Sequence, residues 1–293
     1  MTPAEVAKRI IEGSAAPRSA PGGGPFLDDA TLPAGEYGWR VAPSATPERV
    51  ALLDVEPDLA AGLDPEEHEL ALRVVAAPVL GLSPGAWDGQ VGPDSCGAIV
   101  LDGLLTLRAP LDGGAGLQLR GAGDVLLACT AEGLVTGEAV RWTVSEGARL
   151  AVLDDAFLAA TRRWPVLLAA LLRRLAVQEE RLAVQHAIAQ LPRVDQRIRA
   201  LLWHLAERWG RVTPSGVVVP LTITHEVLGH LVGSRRPTVS LALTELEERG
   251  LVVRQPDRSW LLAEDPPGPL QGRAEQHAAG GTWARARTAP ARS

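Results

Sequence analysis

Apolar positions near the C-terminus follow a helical period. Val239, Ala242, Leu243 and Leu246 recur at i, i+3, i+4 and i+7, which puts one apolar stripe on a helix over 235–250 and leaves Arg235, Arg236, Ser240 and Thr244 outside it. Just upstream, Thr224 is placed to N-cap a helix whose inner face is Val227, Leu228 and Leu231, and Gly233 is placed to end it in a left-handed conformation. Two short helices joined by a glycine-containing turn predict a helix-turn-helix, in which the second helix reads DNA. The run LVVRQPDRSWLL at 251–262 then predicts a hairpin, or wing, around its Q-P-D-R centre. Before the motif, Ile198, Leu201, Leu202 and Leu205 share one face of a helix over 194–209, and VVVPL at 217–221 reads as a strand.

Earlier in the chain the period changes twice. Asp64 as cap and Pro65 at the first helical position predict a short helix within DPEEHELALRV. Between 74 and 153 the text becomes short apolar runs cut by GLSPG, DGGAG and RGAGD, the pattern of several strands joined by tight turns in a sandwich or barrel. From Trp164-Pro165 a long helix follows. Leu168, Leu171, Leu175, Gln178, Leu182 and Gln185 fall on its heptad seam, and such a seam is expected both to pack on its own barrel and to pair with its twin in a homodimer. Residues 1–45, rich in Pro, Gly, Ala and Ser, predict a flexible N-terminal arm, and 263–293 a disordered tail. The organisation expected is therefore α+β: arm 1–45, β-barrel 46–155, dimerisation helix 156–191, winged helix-turn-helix 192–262 and tail 263–293.

Charge sharpens the partner. The net charge of −6 divides into −10 for residues 1–192, +3 for 193–262 and +1 for 263–293, counted from the same sequence. A basic module on an acidic body approaches DNA in one orientation and in a salt-sensitive way. No apolar run reaches the length of about 18 residues that a membrane span needs, and Glu5, Lys8 and Arg9 break any signal-peptide core in Met1–Ile11, so the expected setting is cytoplasmic, without a membrane partner. Cys96 and Cys129 are too few for a four-cysteine metal site and read as small side chains of no assigned role.

Enzymatic motifs fail on context. Gly81-Leu82-Ser83-Pro84-Gly85 has the spacing of a nucleophile elbow, but WDGQVGP after it cannot form the helix that such an elbow requires. HEVLGH at 225–230 spaces its histidines i, i+5 rather than the i, i+4 that shares a helical face, so no zinc site is expected. A phosphate-binding P-loop is missing as well, and His68 and His186 read as ordinary histidines. No catalytic constellation, metal or cofactor is expected.

ITHEVLGHLVGSRRPTVSLALTELEERGLV, residues 223–252, resembles the winged helix-turn-helix of the Crp/Fnr transcription regulators without a gap, with Gly229, Gly233, Arg236, Thr238, Val239, Leu243, Leu246 and Leu251 on the family's pattern. LRGAGDVLL (119–127) is similar to the family's glycine–aspartate turn, and RLAVLDDAFL (149–158) to its last strand running into a helix. The resemblance implies a cyclic-nucleotide-binding-like barrel (jelly roll), a long dimerisation helix and a dimer on a two-fold symmetric operator of double-stranded DNA, with RNA polymerase and an effector of unknown identity as further partners. Departures from the pattern matter too. Where cyclic-nucleotide-binding members carry a Gly-Glu pair and then an Arg-Ser or Arg-Thr pair, this chain has Leu127-Ala128 and Glu138-Ala139, and an acid in place of the phosphate-binding arginine repels the ligand. In the recognition helix, Pro237 and Leu241 replace two of the usual base readers. Arg236 is left as the expected guanine contact, with Arg235, Thr238, Ser240, Thr222 and His225 as expected phosphate contacts. The alternative reading is a small-molecule or protein-partner sensor whose DNA binding is weak or vestigial.

Overall fold

The computed structural model describes residues 48–92, 95–111, 114–127, 140–145 and 147–263. The expected arm at 1–45 and nearly all of the tail, as well as Cys129 and Glu138, lie outside them.

The short apolar runs fold as antiparallel strands. One sheet takes β1 (Arg49–Ala51), β2 (Ala76–Leu82), β9 (Ala148–Asp154), β4 (Ser95–Asp102) and β7 (Val125–Leu127), in the order β1-β2-β9-β4-β7. A second takes β3 (Gly85–Trp87), β8 (Arg141–Val144), β5 (Leu104–Leu111) and β6 (Gly114–Gly121), in the order β3-β8-β5-β6. Ala98, Val100, Leu105, Leu126, Val144 and Leu150 make the core of this layer pair. The jelly-roll expectation thus holds with one refinement, since two sheets with free edges replace a closed barrel. GLSPG joins β2 to β3, strand to strand, so Ser83 sits on no elbow.

Helices close one side of the sheets. Asp64 caps α2 (Pro65–Val74), accepting from the N–H groups of Glu66 and Glu67 at 3.0 and 2.9 Å. It follows a shorter α1 (Leu52–Val55) and a 3₁₀ turn at Pro57–Ala60. Asp154 caps α3 (Asp155–Arg163) in the same way, and buried Trp164 leads into α4 (Pro165–Ala189), whose first-turn proline sacrifices no helical hydrogen bond. Leu53, Leu59, Ile99, Leu153, Phe157 and Leu167 form the second core. Cys96 donates its thiol to the Leu153 carbonyl at 3.5 Å, and burial raises its pKa.

Along α4 the residues of the expected seam divide by what they touch. Leu171 is buried in the chain's own core. Gln178 accepts from the Val125 N–H at 2.7 Å and donates to the Val125 carbonyl at 3.1 Å, closing the free edge of β7, and Gln185 donates to the Leu117 carbonyl at 2.9 Å. These three therefore pack on the chain's own sheets, the first of the two contacts expected of the seam. The physical reason is that an amide satisfies both a donor and an acceptor on an unpaired strand edge, which no leucine does. Leu175 and Leu182 are half-buried, while Leu168 and Leu172 are 46% and 58% exposed.

Pro192 turns the chain into α5 (Val194–Trp209), which packs with α6 (His225–Val232) and α7 (Arg236–Glu248). A four-stranded sheet flanks them: β10 (Arg211–Thr213), β11 (Gly216–Val219), β13 (Trp260–Leu262) and β12 (Val252–Arg254), in the order β10-β11-β13-β12. The core of this part includes Leu104, Leu117 and Leu119 of the second sheet, so it continues without a gap onto β5 and β6. No helix among the described residues is long and apolar enough to cross a membrane.

Candidate nucleic-acid interface

Local chemistry fixes the two-helix motif. Thr224 Oγ1 accepts from the Val227 N–H at 3.2 Å at the start of α6, and Gly233 ends it at φ 64°, a left-handed position that favours glycine. The next residue returns, with Ser234 N–H donating to the Gly229 carbonyl at 2.8 Å. A Cβ on Gly229 would stand 2.6 Å from the Ser234 carbonyl oxygen, so only glycine allows the turn to come this close. Arg197 holds the corner from α5, donating to the carbonyls of Leu191 at 2.6 Å and Val232 at 3.2 Å, a cation at the C-terminal end of α6.

Helix α7 then presents the two faces that its periodicity predicts. Val239, Ala242, Leu243 and Leu246 are buried. Arg235, Arg236, Pro237, Thr238 and Thr244 are exposed, and Leu241 is 63% exposed. Pro237 sits in the first turn, where its missing N–H costs nothing. Leu241, exposed on this face, offers a methyl-sized apolar contact.

Ser240 departs from expectation. Its hydroxyl lies 2.9 Å from His225 Nδ1 and donates to the Arg236 carbonyl at 3.1 Å, an arrangement in which Nδ1–H is the donor to the hydroxyl oxygen. Ser240 and His225 thus link α6 to α7 and stand half-buried. Burial, then Arg254 and Arg236, lower the pKa of His225. Thr222, before α6, is half-buried as well.

The wing contributes residues that the sequence reading passed over. Arg254 stacks over the Trp260 ring at 4.0 Å and donates to the Ile223 carbonyl at 3.0 Å, so it ties β12 to the loop ahead of α6. At the tip, Gln255 N–H donates to the Ser259 carbonyl at 2.9 Å, and Asp257 accepts from both the N–H and the hydroxyl of Ser259 at 2.9 and 2.6 Å. Between them Arg258 is held at φ 67°, exposed and in the left-handed region. Both arginines flank the turn in R-Q-P-D-R, and that flanking was the available signal. Arg235, Arg236 and Arg258 are thereby carried, exposed, on α7 and the hairpin that follows it.

Residues 196–268 match the model of the Crp-like helix-turn-helix domain. The chain carries a Crp-like helix-turn-helix. Helix α7 is the second helix of the two-helix motif within that domain and the β12–β13 hairpin its wing. Over a longer stretch the fold is similar to a CooA mutant from Carboxydothermus hydrogenoformans, at 16% identity and a TM-score of 0.51 over 69% of this chain and 88% of that one. It is also similar to a cyclic nucleotide-binding domain containing protein from Listeria monocytogenes EGD-e, at 17% identity and a TM-score of 0.54 over 73% of this chain and 98% of that one. None of the curated proteins matches the chain. The two sheets, the long helix and the C-terminal motif therefore share the fold of these two proteins, with a Crp-like helix-turn-helix domain over residues 196–268.

Proposed function

We propose that the protein is a homodimeric, sequence-specific transcription regulator that acts in the cytoplasm by placing α7 in the major groove of a two-fold symmetric operator, and that it is not an enzyme. The observation that carries this reading is the exposed face of α7, where Arg235, Arg236, Thr238 and Leu241 stand free beside the arginine-bearing wing while the opposite face is buried. Arg236 reads guanine, Leu241 meets a thymine methyl, and Arg235, Thr238 and Arg258 hold phosphates. Ser240 and His225 set the angle between the two helices, and Thr222 remains a phosphate contact from the loop before α6.

The second copy packs on α4 through Leu168, Leu172 and the outward edges of Leu175 and Leu182, with the small side chains of Ala176 and Ala183 letting the helices approach. Leu168 and Leu172 are exposed and lie one turn apart, and a monomer keeps such a stripe in water only at a cost. Cyclic nucleotides are not the effector in the familiar mode, because Leu127-Ala128 and Glu138-Ala139 supply neither the ribose acceptor nor the phosphate-binding arginine. RNA polymerase and another effector complete the set of partners. The domain limits proposed are 46–155, 156–191 and 192–262, between the arm 1–45 and the tail 263–293.

Selection of bound sites from a random DNA library tests the reading and yields the operator. A shared, two-fold symmetric motif is expected, and Arg236→Ala should lose about 1–3 kcal/mol of discrimination at one base pair of each half-site. Selected sequences without a common motif would overturn sequence-specific regulation and leave the sensor alternative. A motif without two-fold symmetry would overturn the dimer.

A further inference from the structure

Opposite its exposed stripe, α4 turns a row of polar residues toward the sheets, with Arg174, Gln178, Arg181 and Gln185 spaced one per turn. Three of the four are spoken for. Arg174 donates to Glu56 at 2.7 Å and to Asp58 at 2.6 Å, and the two glutamines bond strand backbone as described above. Arg181, half-buried among them, has no hydrogen bond and no ion pair among the described residues.

Arg181 also faces its own kind. It shares a small pocket with Arg120 of β6 and Arg208 of α5. Arg208 is anchored, donating to Asp124 Oδ2 at 2.6 Å and to the carbonyls of Gly121 and Ala122 at 3.1 and 2.8 Å. Arg120 reaches only neutral acceptors, the Gln118 amide oxygen at 2.7 Å and the Leu119 carbonyl at 3.3 Å. Among the described residues Asp124 is the only carboxylate on the wall of this small pocket, and Arg208 and the Gly121 N–H both bond its Oδ2 while Oδ1 is left without a hydrogen bond. Glu207 lies nearby, paired with His204. Burial lowers the pKa of both Arg120 and Arg181, Arg208 lowers it further, and Asp124, with Glu207 at Arg181, offsets only part of that. From this pocket, past Gln178, Arg181 and Arg208, a wider cleft of about 450 Å³ opens toward Arg173 and Arg174, with Glu56 and Asp58, the two carboxylates that Arg174 holds, on its far wall, within the size range of small-molecule sites.

Partly desolvated guanidinium groups that no carboxylate hydrogen-bonds are costly, and an anion between them offsets that cost. We propose that this cleft binds a small phosphate-bearing anion, held by Arg181 and Arg120 between the β6–β7 turn, α4 and α5. Several donors converging from separate elements suit the many acceptor oxygens of a phosphate better than a single carboxylate. The site joins the sheets to α5, the first helix of the C-terminal core, and so lies where an effector would bias the seating of the DNA-reading module. The proposal goes beyond the DNA-binding reading and does not depend on it.

Calorimetry and thermal melting of the full chain, without DNA, with inorganic phosphate or pyrophosphate against chloride at equal ionic strength, test it. Pyrophosphate should bind at one site per chain and raise the melting temperature. Arg181→Gln should weaken binding by about tenfold or more, the loss of a charge-assisted contact, while Arg181→Lys stays within about threefold of the parent. Without anion, Arg181→Gln should melt no lower than the parent, since it removes an unpartnered charge, and this separates lost binding from unfolding. The proposal fails if neither anion binds better than chloride, if Arg181→Gln binds pyrophosphate as the parent does, or if that variant is destabilised without anion. None of these outcomes bears on operator selection.

Discussion

His225 and Ser240 are fifteen positions apart in sequence, yet their side chains meet at 2.9 Å and lock the angle between α6 and α7. Because burial, Arg254 and Arg236 hold the pKa of His225 below its ordinary value, the folded chain resists a proton that the unfolded chain takes up below about pH 6.5. The sign is that stability from this residue is fully present above the unfolded pKa and is lost progressively as pH falls toward the folded one. Urea midpoints at pH 7.5 and 5.5 check it: the drop should be larger for the parent than for His225→Asn, and equal drops would refute the assignment. At this scale the sequence was only half legible. The exposed residues of α7 follow from periodicity alone, since burial of Val239, Ala242, Leu243 and Leu246 fixes what remains outside. Ser240 looks from periodicity like a free phosphate ligand, and only the fold shows that α6 brings His225 to it.

The wing carries its own prediction. Arg258 adopts φ 67°, a conformation that costs an L-residue of order 1–3 kcal/mol and glycine much less, so the arginine is kept there for something other than stability. Arg258→Gly should raise stability by about 1 kcal/mol in denaturant melts. The same variant should bind operator DNA more weakly and with a salt dependence shallower by about two in log–log slope for a dimer, two phosphate contacts fewer. A gain in stability with unchanged DNA binding would remove the wing tip from the interface. Elements were more legible than side-chain pairings. Asp64-Pro65, Thr224 and Gly233 marked helix ends correctly because capping is a local matter of one donor and one acceptor. The heptad reading of α4 found the helix but not the partners of Gln178 and Gln185, which answer backbone groups of strands some 53 and 68 residues away, a pairing that no local period records.

At the scale of the molecule, charge and symmetry work together. In the proposed mode of action the acidic residues of 1–192 repel DNA and the basic segment 193–262 attracts it, so approach is oriented, and the proposed pairing through α4 sets how many phosphates are met at once. Counting Arg235 and Arg258 alone, a dimer meets four phosphates, which gives a log–log salt slope of about −3.6, and a single copy meets half as many. Leu172→Glu puts a charge in the middle of the exposed stripe, away from Gln178 and the core. It should therefore leave the fold intact while halving the mass by light scattering, halving the salt slope and abolishing preference for two half-sites over one. The coupling of these three readouts is the point. If the mass halves while the slope and half-site preference persist, the copies meet DNA independently. If the mass does not change, the dimer contact lies elsewhere than on α4, and the exposure of Leu168 and Leu172 needs a different partner.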